Sequence, residues 1–189
     1  TRWNCDWSSD VCSSDLIADD IKSGAVYSII FSLIVVFLYI LIRFRKWQFS
    51  LGAVVALLHD VLFVMGVFSL ADGFLPFQLE VDQAFIAAIL TVIGYSLNDT
   101  VVVFDRIREN MGSRGKQNTD SVNKSLNQTL SRTFNTSLTT FFVLLVIFLF
   151  GGEVIRGFMF ALLLGVLVGT YSSLFIATPV MFDASDKES

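Results

Sequence analysis

An all-α membrane protein with five spans is the fold class this sequence predicts, and three observations predict it. Of the 189 residues 54% are hydrophobic, mean hydropathy is +0.68 and only two are proline, a composition foreign to soluble domains and disordered chains alike. Uncharged runs recur at the length that crosses a bilayer, since at 1.5 Å per residue about 20 apolar residues span the hydrocarbon core of ~30 Å. Basic residues gather in alternate connections between those runs, the pattern that orients membrane helices. A net charge of -4 and a pI near 4.8 leave no nucleic-acid footprint. With no Gly-rich phosphate loop and no metal-ligand spacing, neither cofactor nor metal is expected, and no bond-making chemistry.

Residues 1–15 stand apart, because they are polar, repeat Ser-Ser-Asp at 8–10 and 13–15, and hold both cysteines. They read as a leader foreign to the fold or a disordered tail. Cys5 and Cys12 lack the further Cys or His that would complete a ligand set. A short amphipathic stretch with Asp19, Asp20 and Lys22 leads into the first uncharged run, and the predicted helices are then 24–42, 47–71, 83–106, 130–150 and 157–182, followed by a tail at 183–189. The second is interrupted by His59-Asp60 and the third by Asn98-Asp99.

Residues 43–46 carry three basic groups and residues 105–132 carry six, which places those connections inside. Residues 72–82 carry three acids and no base, and fit the outer side. The amino end is then outside and the carboxyl end in the cytoplasm. A chain that starts outside without a signal segment is expected to be a fragment that lacks an earlier span.

A carboxylate in hydrocarbon is expensive, and is usually kept where it faces protein or a water-filled cavity and takes part in transport. Asp99 sits roughly 22 Å along a helix that begins near Ala84, inside the core but past its middle. Four apolar residues, Val101 to Phe104, follow it, so it does not mark the helix end. Asp99 is therefore the first candidate for an ion-coupling group. Arg132 heads the fourth span, and Gln128, Thr129, Asn135, Thr136, Thr139 and Thr140 stand at helical offsets from it. Together with Asn98 they form a polar stripe expected to line an interior path. Composition leaves Arg132 two roles, a positive-inside anchor or a partner of Asp99 across adjacent helices. His59, the only histidine, and Asp60 also fall within a span, with a proton-relay role and a helix-locking role both open. Gly52, Gly66, Gly94, Gly165 and Gly169 are expected to let helices approach closely, the last two as a GxxxG that packs internally.

GYSLNDTVVVFDRIREN, followed by Ser125-Leu126-Asn127-Gln128-Thr129-Leu130-Ser131-Arg132-Thr133-Phe134-Asn135-Thr136-Ser137-Leu138-Thr139-Thr140, closely resembles the SecF family, partners of SecD in bacterial protein export. Residues 18–25 and His59-Asp60 share the likeness, which covers about 16–182. The resemblance implies a resistance-nodulation-division type six-helix bundle, with spans two to six held here and the first span and a large outer domain outside the chain. It implies an accessory subunit of the Sec translocon in the bacterial inner membrane. Such a subunit couples proton flow, or sodium flow in some relatives, to late steps of preprotein export, and its partners are SecD, separate or fused, SecYEG, YajC, preproteins and membrane lipid. Ion coupling is implied for the Asp99 and Arg132 positions. The alternatives are a small-molecule efflux permease of the same superfamily and a scaffold in which Asp99 and Arg132 form a static ion pair.

Overall fold

The computed structural model describes residues 10–71, 82–111 and 119–186, with side chains from Ser23 onward. Among them are six α-helices: α1 (Asp10–Phe44), α2 (Trp47–Ala71), α3 (Gln83–Asn110), α4 (Thr119–Phe150), α5 (Glu153–Ser172) and α6 (Thr178–Asp186), with a π-helical turn, Ser173–Ala177, joining the last two. Five stretches are long and apolar enough to cross a membrane: Ser23–Phe44, Trp47–Ala71, Gln83–Asn110, Thr119–Phe150 and Glu153–Ser185. The bounds of α2 match the expectation residue for residue. Helix α1 begins at Asp10, inside the stretch expected to stand apart. Cys5 and the acidic connection at 72–81 lie outside the described residues, as does the side chain of Cys12.

Sequence sets each boundary. Arg45 adopts a left-handed conformation (φ 56°) and its N–H returns to the Leu41 carbonyl at 2.9 Å, ending α1 and reversing the chain into α2. Asp82 caps α3, its carboxylate accepting from the Phe85 N–H at 2.8 Å. Gly151 closes α4 by donating to the Ile147 carbonyl at 2.7 Å, where a Cβ would stand 2.4 Å from that oxygen. Two residues then suffice to start α5 antiparallel to α4.

Helix α5 packs against α2, α3 and α4, and α1 lies along α2. The buried core is built from all the spans and includes Ile40, Phe49, Leu57, Val64, Ile89, Ile93, Phe104 and Met181. Aromatic clusters lock both ends: Phe44, Phe49 and Phe104 pack at 5.0 to 6.1 Å beside the basic connection, and Phe68 meets Phe85 at 4.4 Å and Phe160 at 6.1 Å at the other. Outward faces such as Tyr27, Phe31, Phe142 and Phe175 are exposed, as the lipid side of a membrane bundle requires.

The last span carries an irregularity with a legible cause. Gly165, Gly169, Ser173, Ala177 and Met181 recur at every fourth position and all are buried. At about 100° per residue, four such steps would swing Met181 roughly 160° round the axis, away from the face Gly165 occupies. The π turn holds one extra residue and takes back about 100° of that drift. One face of the span therefore stays inward throughout, and Gly52 of α2 meets the Ala177 carbonyl, 2.6 Å from where its Cβ would be.

Gly165 and Gly169 bring α5 close to α3, at Val92 and Ser96 respectively. The GxxxG packs internally, as expected. Gly66 and Gly94 correct the expectation, because a Cβ on either would meet nothing within 4 Å. Their smallness is not used for packing in this chain.

An ion pair between Arg43 and Asp105 at 2.9 Å ties α1 to α3, both side chains being about 40% exposed. Exposed pairs contribute little, so Arg43→Ala is expected to lower stability by less than about 1 kcal/mol in a detergent melting experiment.

Candidate functional site

Two buried carboxylates define the interior of the bundle. Asp99 on α3 is 3% exposed. Its Oδ2 accepts a hydrogen bond from Ser137 Oγ of α4 at 3.3 Å, and Thr170 Oγ1 of α5 lies 2.6 Å from that same Ser137 Oγ. Three helices thus meet around one acid. Thr170 Oγ1 also stands 2.7 Å from the Val166 carbonyl of its own helix.

Asp60 on α2 is wholly buried. Its Oδ2 accepts from Ser96 Oγ of α3 at 2.7 Å, its Oδ1 lies 3.4 Å from His59 Nδ1, and the Ser172 hydroxyl of α5 stands beside it. Next to this cluster Thr100 Oγ1 and Ser173 Oγ share a hydrogen bond of 2.9 Å, and Ser173 reaches the Gly169 carbonyl at 2.8 Å. The glycine at 169 is what allows it, since a Cβ there would lie 3.0 Å from Ser96 Cβ and 3.2 Å from its hydroxyl. Close helix approach and satisfied buried carboxylates are one feature seen from two sides. Ser96→Ala leaves a buried carboxylate without its shortest donor, and is expected to destabilise the bundle by about 1 to 3 kcal/mol, read from thermal unfolding in detergent.

Helix α4 buries only Thr129 of the predicted stripe. Its inward face is Ser125, Thr129, Thr133 and Ser137, all buried and four residues apart, whereas Thr136 and Thr139 are exposed and Thr140 only half-buried. Offsets counted from Arg132 mix buried and exposed positions, because Arg132 is itself exposed. The exposed hydroxyls are satisfied within their own helix, Thr136 donating to the Arg132 carbonyl and Thr139 to that of Thr136, whereas half-buried Thr140 donates to the Thr136 carbonyl and also accepts from the Tyr95 hydroxyl of α3 at 3.4 Å. A threonine bonded to its own backbone needs no interior path to be tolerated in a span. Asn98 is exposed as well. Ser137, Ser96, Thr170 and Ser172 are the residues that composition missed, although the four-residue spacing from Ser125 to Ser137 was a readable signal.

Arg132 forms no hydrogen bond or ion pair with Asp99 among the described residues, though it is near enough for its charge to act on that carboxylate. It lines a cavity of about 330 Å³ with Val102, Asp105, Arg106, Glu109 and Gln128. Arg106 in that cavity is itself engaged, donating to Glu109 at 2.6 Å and Gln128 at 2.8 Å. His59 touches Asp60 but is 37% exposed and sits among Val55, Leu58, Leu62 and Phe63 on the outer surface, so it is not brought to Asp99. Among the described residues no group of three or more His, Cys, Asp or Glu could hold a metal ion.

The chain matches known proteins along most of its length. The family described as protein export membrane protein SecD/SecF, C-terminal, matches residues 7–187. The protein translocase subunit SecF of Rhodothermus marinus is 61% identical over 167 residues, covering 88% of this chain and 54% of that protein. SecF of Vibrio alginolyticus is 48% identical, covering 86% and 50%. The chain therefore spans about half the length of the curated relatives it matches. Among solved structures, the crystal structure of SecDF, a translocon-associated membrane protein from Thermus thermophilus, superposes with a TM-score of 0.76 at 40% identity, covering 89% of this chain and 22% of that one. SecDF in a super-membrane-facing form gives 0.74 at 41% identity, covering 82% and 20%. With its five apolar helices and a match along nearly its whole length, the chain belongs to the SecD/SecF family of membrane proteins.

Proposed function

We propose that this chain is the ion-coupling membrane part of an accessory subunit of the Sec export machinery, in the bacterial inner membrane. Its partners in this reading are a SecD-type protein, the SecYEG channel, YajC and preproteins in transit. The basic connections face the cytoplasm. Asp99 takes up and releases a proton, or a sodium ion, as the complex moves between conformations, and Arg132 tunes the acid's affinity from the edge of the cavity. One observation carries the reading: Asp99 is buried in a membrane-spanning helix with a hydroxyl as its direct partner and, among the described residues, no countercharge in contact. A group so placed gains from gaining and losing its charge with the state of the site, and a static role would have favoured a full ion pair. Each charge crossing 100 mV releases about 2.3 kcal/mol, so a few ions per cycle suffice to bias a domain movement.

The test is a reconstitution of the complete protein with its SecD-type partner and the channel in proteoliposomes loaded with a preprotein arrested late in transit. A proton gradient, a sodium gradient or neither is then imposed. One of the two gradients should speed release of the preprotein by about an order of magnitude, the gain available from ~1.4 kcal/mol of driving force. Equal rates under all three conditions would remove ion coupling from the reading.

A further inference from the structure

We propose that Ser137 and Thr170 form a two-way hydroxyl relay that reports the protonation of Asp99 to the last span. The inference rests on the ion-coupling reading of Asp99 and names residues which that reading leaves without a role. Its basis is proton counting. Each hydroxyl has one proton to donate, and Thr170 Oγ1 has two acceptors within reach, Ser137 Oγ at 2.6 Å and the Val166 carbonyl at 2.7 Å.

Two arrangements therefore use the same heavy-atom positions. With Asp99 ionised, Thr170 donates to Ser137 and Ser137 donates to the carboxylate. With Asp99 protonated, the acid donates to Ser137, Ser137 donates to Thr170, and Thr170 donates to the Val166 carbonyl. Every donor is satisfied in both, and the only net change is the proton Asp99 has gained. The strength of the Thr170 bond to its own helix thus differs between the two states, three residues ahead of the π turn at Ser173. A π turn is a joint in the helix, so a side-chain bond that alternates within the preceding turn is placed to bias it.

Other ionisable groups on the surrounding elements are Arg132 of α4, felt through space, Tyr95 on α3, whose hydroxyl is 3.4 Å from Thr140, and Asp60 with His59 on α2. Near Thr170, α5 offers only Tyr171, which is exposed and stacks on Phe175. None of these interposes a hydrogen bond between Asp99 and α5 among the described residues.

Infrared difference spectroscopy on the complete protein with its partner tests the relay directly. The protonated carboxyl band that disappears in Asp99→Asn identifies the acid. In Ser137→Ala that band should move to higher wavenumber, as expected of a carboxyl that has lost its hydrogen-bond acceptor. In Thr170→Val a smaller shift of the same band should accompany a change in the amide signal of the last span, and Ser137→Thr should restore the native spectrum. Gradient-driven export should fall by a similar factor in Ser137→Ala, Thr170→Val and the double variant, because groups acting as one unit are not additive. A band lost in Asp99→Asn but unmoved in both single variants overturns the relay and leaves ion coupling standing. A spectrum in which no band depends on Asp99 overturns the coupling reading itself.

Discussion

In the complete protein, Asp99→Asn is expected to bring gradient-driven export down to the rate seen without a gradient, while insertion and pairing with its partner are retained. Asparagine has nearly the same shape, and its carbonyl can still accept from Ser137, so the junction of α3, α4 and α5 has no reason to open. What disappears is the ability to gain and lose a charge. Removing a buried charge also removes its desolvation penalty, so the variant should melt no lower than the native protein. That combination separates a coupling role from a structural one, since a group needed for folding would lose stability and export together. Asp99→Glu keeps an ionisable group but adds a methylene to a packed site, which costs about 1 to 3 kcal/mol. It should keep part of the gradient effect in a less stable protein. Export measured in inverted vesicles, with melting followed in parallel, gives both readouts. Native gradient dependence in Asp99→Asn would show that the charge is idle.

The burial of Asp99 was legible in the sequence, because a carboxylate followed by four apolar residues has to lie within the span. The number of spans and the bounds of α2 were legible for a similar reason: uncharged length against bilayer thickness leaves few choices. Faces were harder. On α4, polar residues occur on both sides of the helix, so periodicity alone does not choose between Ser125-Thr129-Thr133-Ser137 and the outward set containing Thr136 and Thr139. Counting from the charged residue was the natural step and it mixed the two faces, because Arg132 is itself exposed. Small residues were ambiguous too, since nothing local separates Gly94, which faces open space, from Gly165, which faces Val92. The four-residue spacing from Gly165 to Met181 did contain the π turn, because an ideal α-helix with that spacing would have turned its small residues away from α3 and α2.

Gly165→Leu is expected to separate α3 from α5 and to abolish accumulation of the folded protein. Even a Cβ at this position would stand 2.0 Å from Val92 Cγ2, 2.7 Å from Cγ1 and 2.9 Å from Cβ. Val92 is 1% exposed and β-branched, so its side chain has neither the space nor the rotamer freedom to withdraw. The backbones must move apart instead. The same approach sets Gly169 against Ser96 and Ser173 against Thr100, so a separation at Gly165 loosens the surroundings of Asp60 and moves α5, which carries Thr170, away from the helix that carries Asp99. Gly165→Ala, the smallest step, should destabilise by about 1 to 3 kcal/mol in a detergent melt, as overpacking of a filled core does. Adding Val92→Ala should return much of that loss by vacating the volume the new Cβ needs. Gly94→Ala serves as the internal standard: its Cβ meets nothing within 4 Å, so the helix gains up to about 1 kcal/mol of propensity with no clash. If Gly165→Ala and Gly94→Ala melted alike, the close approach of α3 and α5 would have no part in holding the two acids in place.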